Sequence, residues 1–149
     1  MTDMTTRILI AEDHDIARRG LRELLRGRSN LELVAEAGSR EEALDAARET
    51  HPDIAVLGCS FSGINDRELT RELRQEHPDI EILIYTLEDR EEVVMDVLYA
   101  GARGFVLKSD PERHLFAAID ALSAHRPYFS DAISETLLAQ RIKAYRRQD

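Results

Sequence analysis

Four apolar runs in this chain stop on residues whose chemistry differs from one run to the next. Arg7-Ile8-Leu9-Ile10-Ala11 runs into the acid pair Glu12-Asp13. Ile82-Leu83-Ile84-Tyr85 runs into Thr86, and Gly104-Phe105-Val106-Leu107 runs into Lys108. Two adjacent carboxylates make a hard oxygen site suited to Mg2+. A hydroxyl and an ammonium converging on such a site are the groups that would hold a phosphoryl group. The fourth run, Asp53-Ile54-Ala55-Val56-Leu57, stops on Gly58, which brings no side chain. An acid pair at a strand end also serves simply to cap the following helix. Thr86 and Lys108 at matching ends are what give this pair chemical weight.

These residues can act together only if the runs are parallel strands ending at one edge of a sheet, where open α/β folds place their sites. The stretches between them read as helices. Residues 15–26 put Ile16, Ala17, Gly20, Leu21, Leu24 and Leu25 on one face, and Gly27 is a plausible stop. Leu31–Ala37 reads as a second strand. Ser39 with Glu42 three residues on is a capping box opening a helix that buries Ala43, Leu44 and Ala47. Further helices are expected over about 66–76 and 90–100, and from Asp110-Pro111, an N-cap followed by proline at the first helical position. A sixth begins near Ser130 and shows Ile133, Leu137, Leu138 and Ile142. His51-Pro52-Asp53-Ile54 recurs as His77-Pro78-Asp79-Ile80. Each copy ends a helix and launches a strand, because proline disfavours helix in the residue before it. Those histidines read as helix-end punctuation rather than metal ligands. The alternation predicts an α/β fold, a doubly wound five-stranded parallel sheet of flavodoxin-like order 2-1-3-4-5, followed by a C-terminal helix.

With 149 residues the chain suits one domain with a real core. No apolar run approaches the ~20 residues of a membrane span, and the first residues lack the pattern of a secretory signal. The lone Cys59 has no partner for an internal disulfide, so a reducing compartment, the cytoplasm, is expected. Net charge is -9 and uneven. Arg141, Lys143, Arg146 and Arg147 against Asp149 leave the last nine residues at +3, so the rest carries -12. A body this acidic is a poor nucleic-acid binder, since phosphate contacts need clustered cations. The basic end reads as a solvated helix terminus.

The stretches ILIAEDHDIARRGLRELL, EAGSREEALDAA, HPDIAVL, ILIYT and AGARGFVLKSD, in that order and spacing, resemble a CheY-like response-regulator receiver domain. The likeness is greatest to the NarL/FixJ (LuxR-type) transcription factors of two-component systems. It covers nearly all of residues 7–125, and PYFSDAISETLLAQ resembles the linker helix that follows such receivers. The resemblance implies a receiver-like domain over 1–125 and a linker helix over 126–149. In the family that helix leads to a helix-turn-helix DNA-binding domain, for which this chain has no length. It further implies that Glu12 and Asp13, with the Ser60 carbonyl, hold Mg2+. Thr86 matches the switch hydroxyl, Phe105 the switch aromatic, and Lys108 the cation that pairs with phosphoryl oxygens.

The family's phosphoacceptor aspartate falls on Gly58. An acyl phosphate needs a side-chain carboxylate as nucleophile, and the same change removes one expected metal ligand, so Mg2+ binding should be weak or absent. The loop Gly58-Cys59-Ser60-Phe61-Ser62-Gly63 departs from the family at several positions, which points to natural drift rather than one engineered change. Ser60, Ser62 and Cys59 lack an activating base and are expected to be loop and filler residues. Losing one of three clustered carboxylates relieves their repulsion and is expected to leave a void beside Lys108 able to admit water or a small anion.

Three readings follow. The first is a non-enzymatic receiver that acts independently of phosphorylation, by protein contacts. Its surfaces would be the fourth helix, fifth strand and fifth helix, or the C-terminal helix, with homodimers and a sensor kinase as partners and DNA reached only through another module. The second is an ordinary phosphorelay receiver seen as an acceptor-less variant. The third is a doubly wound phosphatase using Glu12, Asp13 and Lys108, which lacks a strand-end nucleophile.

Overall fold

The computed structural model describes residues 5–58 and 66–147. Its strands are β1 (Thr6–Ala11), β2 (Leu31–Ala37), β3 (Ile54–Leu57), β4 (Glu81–Thr86), β5 (Gly104–Leu107) and β6 (Tyr128–Phe129). Its helices are α1 (Asp15–Arg26), α2 (Arg40–Thr50), α3 (Asp66–Glu76), α4 (Glu91–Ala100), α5 (Glu112–Ser123) and α6 (Asp131–Arg147). All strand pairs are parallel, in the order β2-β1-β3-β4-β5-β6. The first five strands take the expected order.

Side-chain alternation along the strands divides the core in two. On one face Leu9, Leu57, Ile82, Ile84 and Phe105 meet Ala43 and Ala47 of α2, Leu69 and Leu73 of α3, and Val94 and Val97 of α4. On the other, Ile8, Ile10, Val56, Leu83 and Val106 meet Leu21 and Leu25 of α1 and Leu115, Ile119 and Leu122 of α5. Ile54–Leu57 and Gly104–Leu107 are buried at every position, as strands covered on both faces must be.

Several local details differ from the sequence reading. The buried line of α1 is Leu21 and Leu25, which leaves Ile16 in solvent. Gly27 closes α1 in an ordinary right-handed conformation, whereas His51 closes α2 at φ 48. The capping box on α2 is shifted by one residue. The Ser39 hydroxyl accepts from the Glu42 amide, but the Glu42 carboxylate accepts from Gly38 rather than Ser39. Asp110 does not cap α5. Its carboxylate accepts from the Leu107 amide at 2.9 Å, and the helix begins at Glu112. Gly101 ends α4 at φ 121, a conformation that side chains disfavour. His51 and His77 stand at the helix ends assigned to them, with rings 5.7 Å apart.

The largest addition is β6. Two residues give too little pattern to read as a strand, yet the Tyr128 amide donates to Arg103 and the Ser130 amide to Phe105, extending the sheet past β5. The stretch after 125 therefore opens as a strand, and helix starts only at Asp131. Beside it a clasp closes over the buried Glu81 carboxylate. Glu81 Oε2 meets His125 Nδ1 at 2.9 Å and accepts from Arg103 Nη1 at 3.4 Å, while Arg103 Nη2 donates to the His125 carbonyl. Ile133 of α6 is fully buried and shares the core with Val97, Ala102 and Phe105. Ile133→Ala is expected to remove about 2–4 kcal/mol, felt first in the segment it anchors. Hydrogen exchange should quicken in β6 and α6 while β1 and β3 amides keep their protection.

Candidate functional site

The C-terminal ends of β1, β3, β4 and β5 meet at one sheet edge, because parallel pairing aligns Ala11 with Leu57, Leu57 with Ile84 and Thr86 with Leu107. Glu12 follows β1 and is fixed through its backbone, its amide donating to Ala37 and its carbonyl accepting from Arg18 Nη1 at 2.8 Å. Gly58 follows β3 and donates its amide to Ala11. Lys108 follows β5, and its amide donates to the Thr86 carbonyl.

The centre of the site is an ion pair. Lys108 Nζ donates to Glu12 Oε2 at 2.8 Å and to the Gly58 carbonyl at 3.3 Å. The Glu12 side chain is 1% exposed and that of Lys108 23%. A Cβ at position 58 would collide with Glu12 Oε2 and stand 3.3 Å from the Tyr85 carbonyl. The expected void beside Lys108 is therefore not open. The Glu12 carboxylate leans into the space that a side chain at 58 would claim, because the ammonium draws it there and glycine offers no obstacle. The second oxygen, Oε1, accepts from the His14 amide at 3.2 Å.

Asp13 lies beside Glu12, half-buried. His14 joins them, with Nδ1 3.3 Å from Asp13 Oδ1 and 3.6 Å from Glu12 Oε1. Among the described residues Glu12, Asp13 and His14 are the group whose ligand atoms lie close enough to share a cation. The sequence reading passed over His14, although its position next to the acid pair was the available signal.

Thr86 is buried, and its hydroxyl accepts from the Glu88 amide at 3.3 Å. Phe105 is buried two register positions below, opposite Ile84 on β4 and Phe129 on β6. Burial, and then the charges of Glu112 and Asp110, push the Tyr85 phenol above its ordinary value, so it stays neutral beside the pocket. The structure thus brings Glu12, Asp13, Gly58 and Lys108 together, with Thr86 on the adjoining strand and Phe105 beneath. Ser60, the remaining expected metal ligand, lies outside the described residues, as do Cys59 and Ser62.

This arrangement has known relatives. The response regulator receiver domain family matches residues 8–120. The response regulator GacA of Pseudomonas viridiflava is 34% identical over 131 residues, covering 88% of this chain and 61% of GacA. The DNA-binding transcriptional activator DevR/DosR of Mycobacterium tuberculosis is 34% identical over 143 residues, covering 96% of this chain and 66% of the activator. Among solved structures, a LuxR-family two-component response regulator from Aurantimonas sp. SI85-9A1 superposes with a TM-score of 0.87 at 36% identity, covering 93% of this chain and 99% of that one. The chain spans about three fifths to two thirds of the length of these curated relatives. A strand-end acid pair, hydroxyl and lysine on a parallel sheet, together with these matches, place the chain in the response regulator receiver domain family, among the LuxR/NarL-type regulators.

Proposed function

We propose that this receiver works without a phosphoryl group at position 58, with the Glu12–Lys108 ion pair standing in for the contact that lysine would make to an acceptor carboxylate. One observation carries the reading: Lys108 Nζ sits 2.8 Å from Glu12 Oε2, in a pocket where Gly58 supplies only a carbonyl. A phosphoryl acceptor must be a nucleophilic side chain. The Glu12 carboxylate that meets Lys108 is nearly fully buried and already engaged.

Receiver domains hold Mg2+ at this acid pocket. The described residues fit the ion poorly here. Mg2+ wants oxygen ligands in near-octahedral array, but position 58 has no side-chain oxygen and one Glu12 oxygen is committed to an ammonium. We therefore take Mg2+ binding as weak or absent, with Asp13, Glu12 and the Ser60 carbonyl as the remaining ligands. Thr86 and Phe105 keep the switch positions, and the ion pair, rather than a phosphoryl group, biases them.

Response regulators in general work with sensor kinases, dimerise, bind DNA through a separate domain and act as signal transducers rather than enzymes. By extension we assign residues 1–125 to the receiver and 126–149 to a linker toward a DNA-binding module outside this chain. Its output would be protein contact in the cytoplasm, with no catalysis of its own. Among the described residues no helix is long and apolar enough to cross a membrane.

Exposure to acetyl phosphate with Mg2+, read by intact mass, tests the proposal. The chain is expected to stay unmodified while Gly58→Asp gains a phosphoryl adduct. An adduct on the unaltered chain at a comparable level would overturn it.

A further inference from the structure

The acid pair is followed at once by an imidazole, and the three side chains approach one another. His14 Nδ1 lies 3.3 Å from Asp13 Oδ1 and 3.6 Å from Glu12 Oε1, and the three ligand atoms all fall within 4.8 Å of one another. The backbone holds this arrangement in place. Glu12 is fixed by its amide bond to Ala37 and its carbonyl bond from Arg18, and His14 is the N-cap residue of α1, its carbonyl accepting from the Arg18 amide at 2.9 Å. Such spacings distinguish one class of ion from another. An octahedral ion with bonds of about 2.0–2.1 Å needs neighbouring ligand atoms about 2.9 Å apart. A tetrahedral ion with bonds of that length spreads them to about 3.3 Å. The two separations from His14 lie at or just above the tetrahedral edge.

The donor atoms favour the same class. Imidazole nitrogen suits Zn2+, Ni2+ and Cu2+, whereas Mg2+ takes oxygen ligands and keeps several waters. Gly58 brings no side-chain oxygen, and Glu12 Oε2 is held by Lys108 at 2.8 Å. Glu12 Oε1 is the oxygen beside His14, accepting from its amide at 3.2 Å. One carboxylate can therefore keep the ammonium on one oxygen and a metal on the other. We infer that Glu12 Oε1, Asp13 and His14 form a site for a borderline transition ion of the Zn2+ class, with His14 as its nitrogen ligand, where relatives hold Mg2+. The His14 side chain is 61% exposed, so solvent reaches the site and supplies the fourth ligand as water. The Lys108 ammonium and the N-terminus of α1 both oppose a cation here, which sets the expected affinity in the micromolar range. Because Glu12 is shared between the ion and Lys108, occupancy acts directly on the pair that closes the pocket. The inference rests on the poor fit of Mg2+ to this pocket and holds whether or not any residue accepts a phosphoryl group.

Titration of the tag-free chain with Zn2+ alone, and with Co2+ as an optical substitute, tests the inference. One equivalent of Co2+ is expected to give the intense visible bands of tetrahedral coordination, and Zn2+ should displace it. Millimolar Mg2+ should leave the bands unchanged. His14→Gln should weaken binding at least about tenfold and remove the bands, with circular dichroism and melting confirming that it is folded. His51→Gln/His77→Gln alters the histidines at the opposite edge of the sheet and should keep both. No saturable binding at micromolar Zn2+, an octahedral Co2+ spectrum, equal binding by His14→Gln, or displacement by Mg2+ would each overturn the inference. A phosphoryl adduct on the unaltered chain would overturn the phosphate-independent reading and leave these titrations as they are, so the two failures are told apart.

Discussion

Gly58→Asp is expected to make a folded protein that is less stable than the parent without Mg2+ and recovers when Mg2+ is added. The first cost is steric. The new Cβ falls on Glu12 Oε2, so the carboxylate must swing aside and give up its present contact with Lys108. Crowding of this kind costs about 1–3 kcal/mol, a loss of roughly 2–12 °C in melting temperature for a domain of this size. The second cost is electrostatic, because a third carboxylate joins Glu12 and Asp13 and like charges at close range oppose ionisation. Mg2+ answers the second, since it takes carboxylate oxygens as ligands and carries the opposite charge. At a concentration about tenfold above its dissociation constant it should restore about 1.4 kcal/mol. Gly58→Ala separates the two costs, sharing the steric one but showing no response to Mg2+. Thermal melts of parent and aspartate variant, each with and without Mg2+, provide the check. Equal melting in all four conditions would remove the argument that Glu12 occupies the acceptor's space.

Most of the scaffold could be read from the chain, because its signals are local and repeated. Ile54–Leu57 and Gly104–Leu107 are apolar at every position, so their ends, Gly58 and Lys108, could be located to the residue. Parallel pairing then forced those ends to one edge. The features that escaped depend on distant residues. Tyr128–Phe129 becomes a strand only because Arg103 and Phe105 leave carbonyls open on the edge of β5. Glu81, an acid at the head of a strand, reads as exposed until Arg103 and His125 are known to meet it. Ile16 matched the apolar spacing of α1, yet the buried line runs through Leu21 and Leu25. At the site, residue identities were legible but not their pairing. Gly58 suggested an empty pocket, and only the conformations of Glu12 and Lys108, 96 positions apart, show it filled from within.

That internal filling has a sharp energetic consequence. Lys108→Met should be among the most damaging single changes at the site, costing about 3 kcal/mol at neutral pH, because it strands a buried carboxylate without its cation. The corresponding fall in melting temperature is about 6–12 °C. The reciprocal change, Glu12→Gln, should cost distinctly less. It leaves an ammonium whose side chain is 23% exposed and can turn to water, whereas Glu12, at 1%, cannot. Glutamine also keeps an oxygen to accept from the His14 amide. The double variant should recover most of what Lys108→Met loses, since no charge is then stranded. A double-mutant cycle at neutral pH measures this directly, with an expected coupling of about 1–3 kcal/mol. A Lys108→Met variant that loses under about 1 kcal/mol, or whose loss Glu12→Gln does not relieve, would mean that the pair is a loose surface contact and that Gly58 leaves the pocket open after all. The asymmetry between the single variants matters more than their sum. It separates an ion pair that holds the pocket shut from one that merely forms across it, and only the first can bias Thr86 and Phe105 in place of a phosphoryl group.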